Sequence, residues 1–386
     1  MPPREERIDY DSDPIKHYVR YDGWLEAFRY QHDRVSVAIR VKRRKQPFTY
    51  FTFCASQAID VFMLEREGLL VRDEAGGRLN HVYFCERRED EFAQIVNLIK
   101  SEQAGFKGDF KEIILFEDDD DTHGKDAVDM VGRTPDKAVR DKFRYKELHR
   151  RFHNLFPLDV INLDVHGVFF PQHENKYSAM LRAVKKIFEW QQHSLSVEDN
   201  HRCERFTLML TSHLEEGFLK EGALGEMEEI VQDNITNHEE FSEAFNAKFG
   251  HTNPGALRVA DFPTFFAVTL PKLIAPLARE HGWFGEHRRI YTYARSTHAE
   301  RPPYYMMSSI VNYERLPAEA DRLPRLWDNL ADEFVTRYVR EMCDVLTYKP
   351  VDVIAQLELP GIRPNVTQDL QSIVNFRESF LTANMQ

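Results

Sequence analysis

"PLDVINLDVHGVFFP", residues 157–171, holds an apolar, β-branched run that ends in Asp164, His166 and Gly167. The run Val160–Leu163 is short and apolar on both faces, which is how a strand in the middle of a covered sheet reads. Gly167 allows a sharp exit from that strand. The stretch therefore predicts a buried strand whose carboxyl end carries an acid and a titratable ring.

Comparable runs lie on both sides of it. "FTYFTFCAS" (48–56) precedes the amphipathic "AIDVFMLEREGLL", and "HVYFCE" (81–86) precedes "DEFAQIVNLIKSEQ". "FKEIILFEDD" (110–119) reads as a third strand, ending at Glu117 and Asp118, and "CERFTLMLTSHL" (203–214) as a fifth. Short two-sided strands alternating with amphipathic helices predict a three-layer α/β fold, Rossmann-like, with a mostly parallel sheet. "HRRIYTYARS" and "PPYYMMSSIVNYER", joined by "THAERPP", read as an antiparallel edge hairpin.

The domain reading follows from these breaks. Residues 1–47 form a helical lead that Gly23 interrupts. Residues 48–315 form the α/β domain, with insertions at 117–150 and 215–285, and residues 316–386 form a helical cap. The leucines and aromatics from Leu323 to Met342 recur at helical spacing.

Bulk properties narrow the function. A net charge of -12 argues against a protein that coats nucleic acid non-specifically. Arg40, Lys42, Arg43, Arg44 and Lys45 still make a local basic stretch, read either as a solvated helix end or as a contact for nucleic acid phosphates. A protein partner on the acidic surface is the other expectation. No apolar run long enough to span a membrane occurs and the N-terminus is polar, so a cytoplasmic protein away from the membrane is expected. Cys54, Cys85, Cys203 and Cys343 are widely spaced, form no C-x-x-C and read as reduced thiols.

In open parallel sheets ligands sit beyond the carboxyl ends of the strands. At those ends stand Cys54-Ala55-Ser56-Gln57, Glu86 and Asp164 with His166. Glu86 is placed to accept hydrogen bonds from a ribose diol, or is a solvated strand-end acid. Asp164 reads as an acceptor for an amine proton and His166 as a flat, titratable ring, or both belong to an ordinary strand exit. The run Asp118 to Asp121, with His123, reads better as a charged loop than as a cation site. No phosphate loop, nucleophile elbow or H-E-x-x-H motif is present, and no metal site is expected.

The small-residue turn after the first strand, the acidic end of the second and "DVINLDVHG" (159–167) together resemble the class I S-adenosylmethionine-dependent methyltransferases. "LDVHG" looks most like the Asp-Pro-Phe-Gly or Asp-Pro-Tyr-Gly signature of tRNA guanine-N2 dimethyltransferases. The resemblance implies S-adenosylmethionine as cofactor, with Glu86 on its ribose and Cys54, Ala55, Ser56 and Gln57 at its amino-acid end. Asp164 would then meet the amine to be methylated and His166 would stack on a base. The chain departs from the pattern in two places: the first turn has no glycine, and Val165 stands where the signature has proline. The two functions implied are methyl transfer to an amine, on a nucleic acid base, and a non-catalytic relative that serves as a partner subunit.

Overall fold

The computed structural model describes residues 13–41, 47–73, 77–116, 135–165, 178–193, 204–214, 219, 221–295, 304–315, 332–347 and 351–383. Among the described residues eight strands make one sheet: β1 (Tyr50–Thr52), β2 (Val82–Glu86), β3 (Gly105–Lys107), β4 (Val160–Asp164), β5 (Arg205–His213), β6 (Trp283–Arg295), β7 (Tyr304–Arg315) and β8 (Val351–Asp352). Their order is β3-β2-β1-β4-β5-β7-β6-β8. The β3, β2, β1, β4 and β5 strands run parallel, and β7 is antiparallel to both β5 and β6. The register pairs Phe51 with Tyr83 on one side and with Ile161 on the other.

Alternation along the strands divides the core in two. Phe51, Ile161, Leu163, Phe206, Leu208 and Leu210 point into one apolar layer. Tyr50, Val82, Phe84, Val160, Met209 and Ile310 point into the other. Each fully buried Phe or Leu contributes roughly 1.5–3 kcal/mol of burial free energy. The second layer is roofed by α1 (Pro14–Val19), α2 (Leu25–Arg40), α3 (Ile59–Arg66), α4 (Glu89–Ile99), α13 (Val353–Leu357) and α14 (Ile362–Ala383). Against the first lie α5 (Phe110–Ile114), α6 (Pro135–His153), α7 (Ala179–His193) and α8 (Glu221–Asn237). That layer is completed by α9 (Glu239–Phe249), α10 (Pro254–Ala260), α11 (Phe262–Glu280) and α12 (Asp332–Thr347). The architecture is thus α/β in three layers, and the edge hairpin expected from the sequence is β6 and β7.

Three expectations need correction. The third strand is Gly105–Lys107, and Phe110–Ile114 is the helix α5. Asp109 caps that helix by accepting from the Lys111 amide at 2.9 Å, and Phe110, Ile113 and Ile114 share one buried face. The expected strand end at Glu117 and Asp118 falls outside the described residues. The apolar run at 48–56 is a strand only over Tyr50–Thr52, because the chain turns off the sheet to start α3. The C-terminal region is not purely helical: β8 extends the sheet by pairing in parallel with β6.

The interruption at Gly23 is a change of helix type within a continuous run. It lies in a single π-helical turn, Arg20–Trp24, between α1 and α2. A Cβ there would sit 2.6 Å from the Tyr291 ring, whose hydroxyl donates to Asp22 at 2.8 Å. Gly23→Ala is therefore expected to cost about 1–3 kcal/mol by overpacking. Urea unfolding of the variant checks this, and a Tyr291→Phe background, which keeps the ring, should leave most of the loss in place.

Candidate functional site at the carboxyl edge

The parallel strands deliver Thr52, Glu86, Lys107, Asp164 and His213 to a common edge. The crossovers after β1 and β2 pack on one face of the sheet, through α3 and α4, and the helix after β4, α7, packs on the other. The chain thus changes direction between the neighbours β1 and β4, and in open parallel sheets such a reversal is where ligands sit, beyond the carboxyl ends of the strands.

The turn leaving β1 is tight despite having no glycine. The Ala58 amide donates to the Ala55 carbonyl at 2.9 Å, and Ala58 itself takes a left-handed conformation, φ 49° and ψ 40°. That conformation costs a residue with a Cβ about 1–2 kcal/mol. The position where a glycine was expected therefore keeps the glycine backbone with an alanine side chain. Cys54 is buried, and Ala55, Ser56 and Gln57 are half-buried. The Gln57 Oε1 accepts from Arg377 of α14 at 2.6 Å.

Beneath the turn lies a polar cluster that sequence reasoning missed. Asp60, in the first turn of α3, accepts from the Tyr50 hydroxyl and from the Thr52 hydroxyl, each at 2.8 Å. Asn162 of β4 donates to the Tyr50 oxygen at 3.3 Å. Burial, reinforced by the Asp60 charge, pushes the Tyr50 phenol well above its ordinary pKa, so it stays a neutral donor. The signal was present in principle: Asp60 and Asn162 are polar residues inside apolar runs, and buried polar groups need partners.

Glu86 ends β2 half-buried. Its Oε1 accepts from the Arg88 amide at 2.6 Å, and its carbonyl accepts from the Gly108 amide at 3.1 Å. Burial raises its carboxyl pKa, partly offset by the Arg88 amide.

Asp164 ends β4 and is 7 % exposed. Its carboxylate forms an ion pair with the amine of Lys16, a residue with no exposed surface. Sequence reasoning did not find Lys16, which lies on α1 far away along the chain. Two contacts hold α1 there. Asp13 caps it by accepting from the Ile15 amide at 2.9 Å, and His17 Nε2 lies 2.9 Å from Asp369 of α14. Asp369 also pairs with Arg66 at 2.8 Å, so one carboxylate ties α1 and α3 to α14.

Glu86, Asp164 and the Cys54–Gln57 turn thus share the carboxyl edge, with β1 between β2 and β4. His166 and Gly167 lie outside the described residues, as do Lys42, Arg43, Arg44 and Lys45, the run Asp118 to Asp121, His123, and Cys203. Arg40 is exposed at the end of α2. Cys54 and Cys85 are buried thiols outside any disulfide, and Cys343 is a half-buried one. Among the described residues no group of three or more His, Cys, Asp or Glu could hold a metal ion, and no helix is long and apolar enough to cross a membrane. No family model, no curated protein and no solved structure matches the chain.

Proposed function

We propose that the protein is an S-adenosylmethionine-dependent methyltransferase with a Rossmann-like sheet, acting on an amine, in the first instance of a nucleic acid base. The observation that carries this reading is the joint position of Glu86 and Asp164 at the carboxyl edge, on the two strands that flank β1. The antiparallel pair β6 and β7 supports the same resemblance. So does the left-handed turn at Ala58, which reproduces a glycine-type backbone where the cofactor would approach closely.

S-adenosylmethionine, when bound, supplies an activated methyl group, and the protein supplies binding and orientation. Glu86 would hold the ribose hydroxyls, and Cys54, Ala55, Ser56 and Gln57 the amino-acid end. Asp164 would orient the acceptor amine and take up its hydrogen bond. His166 would provide the stacking ring. Positioning and exclusion of water would account for most of the rate effect. Arg40, Lys42, Arg43, Arg44 and Lys45 would contact phosphates of a nucleic acid substrate.

A second reading has its own support. Asp164 is engaged by Lys16 and Gln57 by Arg377, both from the chain's own helices. A methyltransferase-shaped subunit that serves as a partner in a larger assembly would tolerate these contacts.

Calorimetry with S-adenosylmethionine separates the two. The enzyme reading expects saturable binding that weakens by roughly tenfold or more in Glu86→Ala, the loss of a charged hydrogen-bond acceptor. No heat of binding at millimolar ligand would sink it in favour of the partner subunit.

A further inference from the structure

A cleft of about 280 Å³ opens at the opposite edge of the sheet, where β5 and β6 begin and β7 ends. It runs between α2 and α12 and is bordered by Tyr30, Arg205, Asn312, Glu314, Arg337 and Arg340 among others. Nothing in the carboxyl-edge site reaches it.

Two features of this cleft point to a ligand. The first is Asn312, which is 6 % exposed. Its Oδ1 accepts from the Thr207 hydroxyl at 2.7 Å, but its Nδ2 has no hydrogen-bond partner among the described residues. An unmet buried donor costs about 1–3 kcal/mol, and one that lines a cleft is a donor that an arriving acceptor can satisfy.

The second is charge. Four carboxylates line the cleft, those of Glu286, Glu314, Glu341 and Asp344, and most already have cationic partners. Glu314 lies between two guanidiniums, Arg205 at 2.5 Å and Arg337 at 3.2 Å. Glu341 is held by Arg279 at 2.5 Å and by the Gly285 amide at 3.1 Å, and Glu286 by Arg288 at 3.1 Å. The Arg340 charge works against the burial that raises the Asp344 carboxyl pKa. Counted with Arg279 and Arg288, which lie outside the lining, five guanidiniums face four carboxylates, and Glu314 is the carboxylate that two of them share, on the same strand as the Asn312 donor.

We propose that this cleft binds a small ligand through an anionic oxygen group, a carboxylate or a phosphate, which accepts from Asn312 Nδ2 and sits against Arg205, Arg337 and Arg340. Its volume lies at the small end of ligand sites, so the ligand is a metabolite-sized molecule and not a polymer. Arginine forks suit both oxyanions, and only the ligand's own geometry separates them.

The test is calorimetry on the full chain with inorganic phosphate in one arm and succinate in the other, in a buffer free of other oxyanions. Saturable binding of one or both is expected, and the arm that binds names the group. Arg340→Ala should weaken it by roughly tenfold, as expected for a lost charged hydrogen bond. Arg340 is exposed, so this variant leaves the fold intact. Asn312→Leu, checked by circular dichroism for folding, should weaken binding as well. Absence of saturable binding in both arms at millimolar ligand overturns the proposal. Binding that is unchanged in both variants does the same. Neither outcome bears on S-adenosylmethionine, whose site lies at the other edge.

Discussion

Lys16→Met is expected to destabilise the protein by about 3–5 kcal/mol, because it strips a buried carboxylate of its cationic partner. Lys16 and Asp164 are 0 % and 7 % exposed, so solvent screens the pair little. Asp164→Leu alone should cost a similar amount, since it leaves the Lys16 ammonium buried without that carboxylate. The double variant Lys16→Met/Asp164→Leu removes both charges and keeps apolar volume, so most of the loss should return. Equilibrium unfolding in urea of the three variants measures the coupling. If the double variant is as unstable as the sum of the singles, the pair does not couple and the losses come from the packing of α1. The result also bears on chemistry. Any amine brought to Asp164 competes with the Lys16 amine already there, so an active enzyme must exchange one for the other or move α1. If S-adenosylmethionine binds, methyl transfer to an added amine should therefore depend on Lys16, while cofactor affinity should not.

Lys16 marks the limit of what the chain shows on reading. The strands β2, β4 and β5 were legible because central strands carry continuous apolar runs bounded by polar turns, and β6 and β7 because their long alternating runs flank a turn-rich join. β3 was missed because Gly105–Lys107 has too few residues to show a period, while the neighbouring Phe110–Ile114 is apolar enough to imitate a strand. Its helical 0, 3, 4 spacing and the Asp109 cap were the better signals. β8 is two residues long and is a strand only because β6 lies beside it, a tertiary effect that no local pattern carries.

At the site, Glu86 and Asp164 were legible as strand-end acids, since the carboxyl edge of a parallel sheet collects such groups. Lys16 was not, because a buried cation on a short helix looks like any surface lysine until its partner is located. The buried Asp60–Tyr50–Asn162 cluster lies between these cases. Each residue is conspicuous as a polar group in an apolar run, yet their meeting depends on the β1–β4 register, which pairs Thr52 with Asn162.

Acid should begin to destabilise the protein above the ordinary range for carboxylates, through His287. His287, on β6, is 2 % exposed, and burial together with the neighbouring Lys272 lowers its pKa from 6.5 to about 3. Lys272 reaches it from α11. The Lys272 amine donates to the Met342 carbonyl and lies 4.4 Å from the centre of the Phe241 ring, and burial holds its own pKa well below the ordinary value. A depressed histidine pKa means that the unfolded chain binds a proton more readily than the native one between pH 6.5 and about 3. The stability that neutral His287 permits is therefore complete above pH 6.5 and is lost as pH falls toward 3, by about 5 kcal/mol over the whole window. From about pH 7 to about pH 5 the expected loss is about 2 kcal/mol. His17, lowered chiefly by burial, acts in the same direction. Glu86 and Asp344, both raised by burial, act against it, because they take up protons more readily when folded. A non-titrating variant separates these contributions. His287→Gln should flatten the dependence of unfolding free energy on pH over this interval by about 2 kcal/mol, whatever it costs at neutral pH. An unchanged slope in that variant would move the acid sensitivity to His17 and its Asp369 partner, which a parallel His17→Gln measurement would then detect.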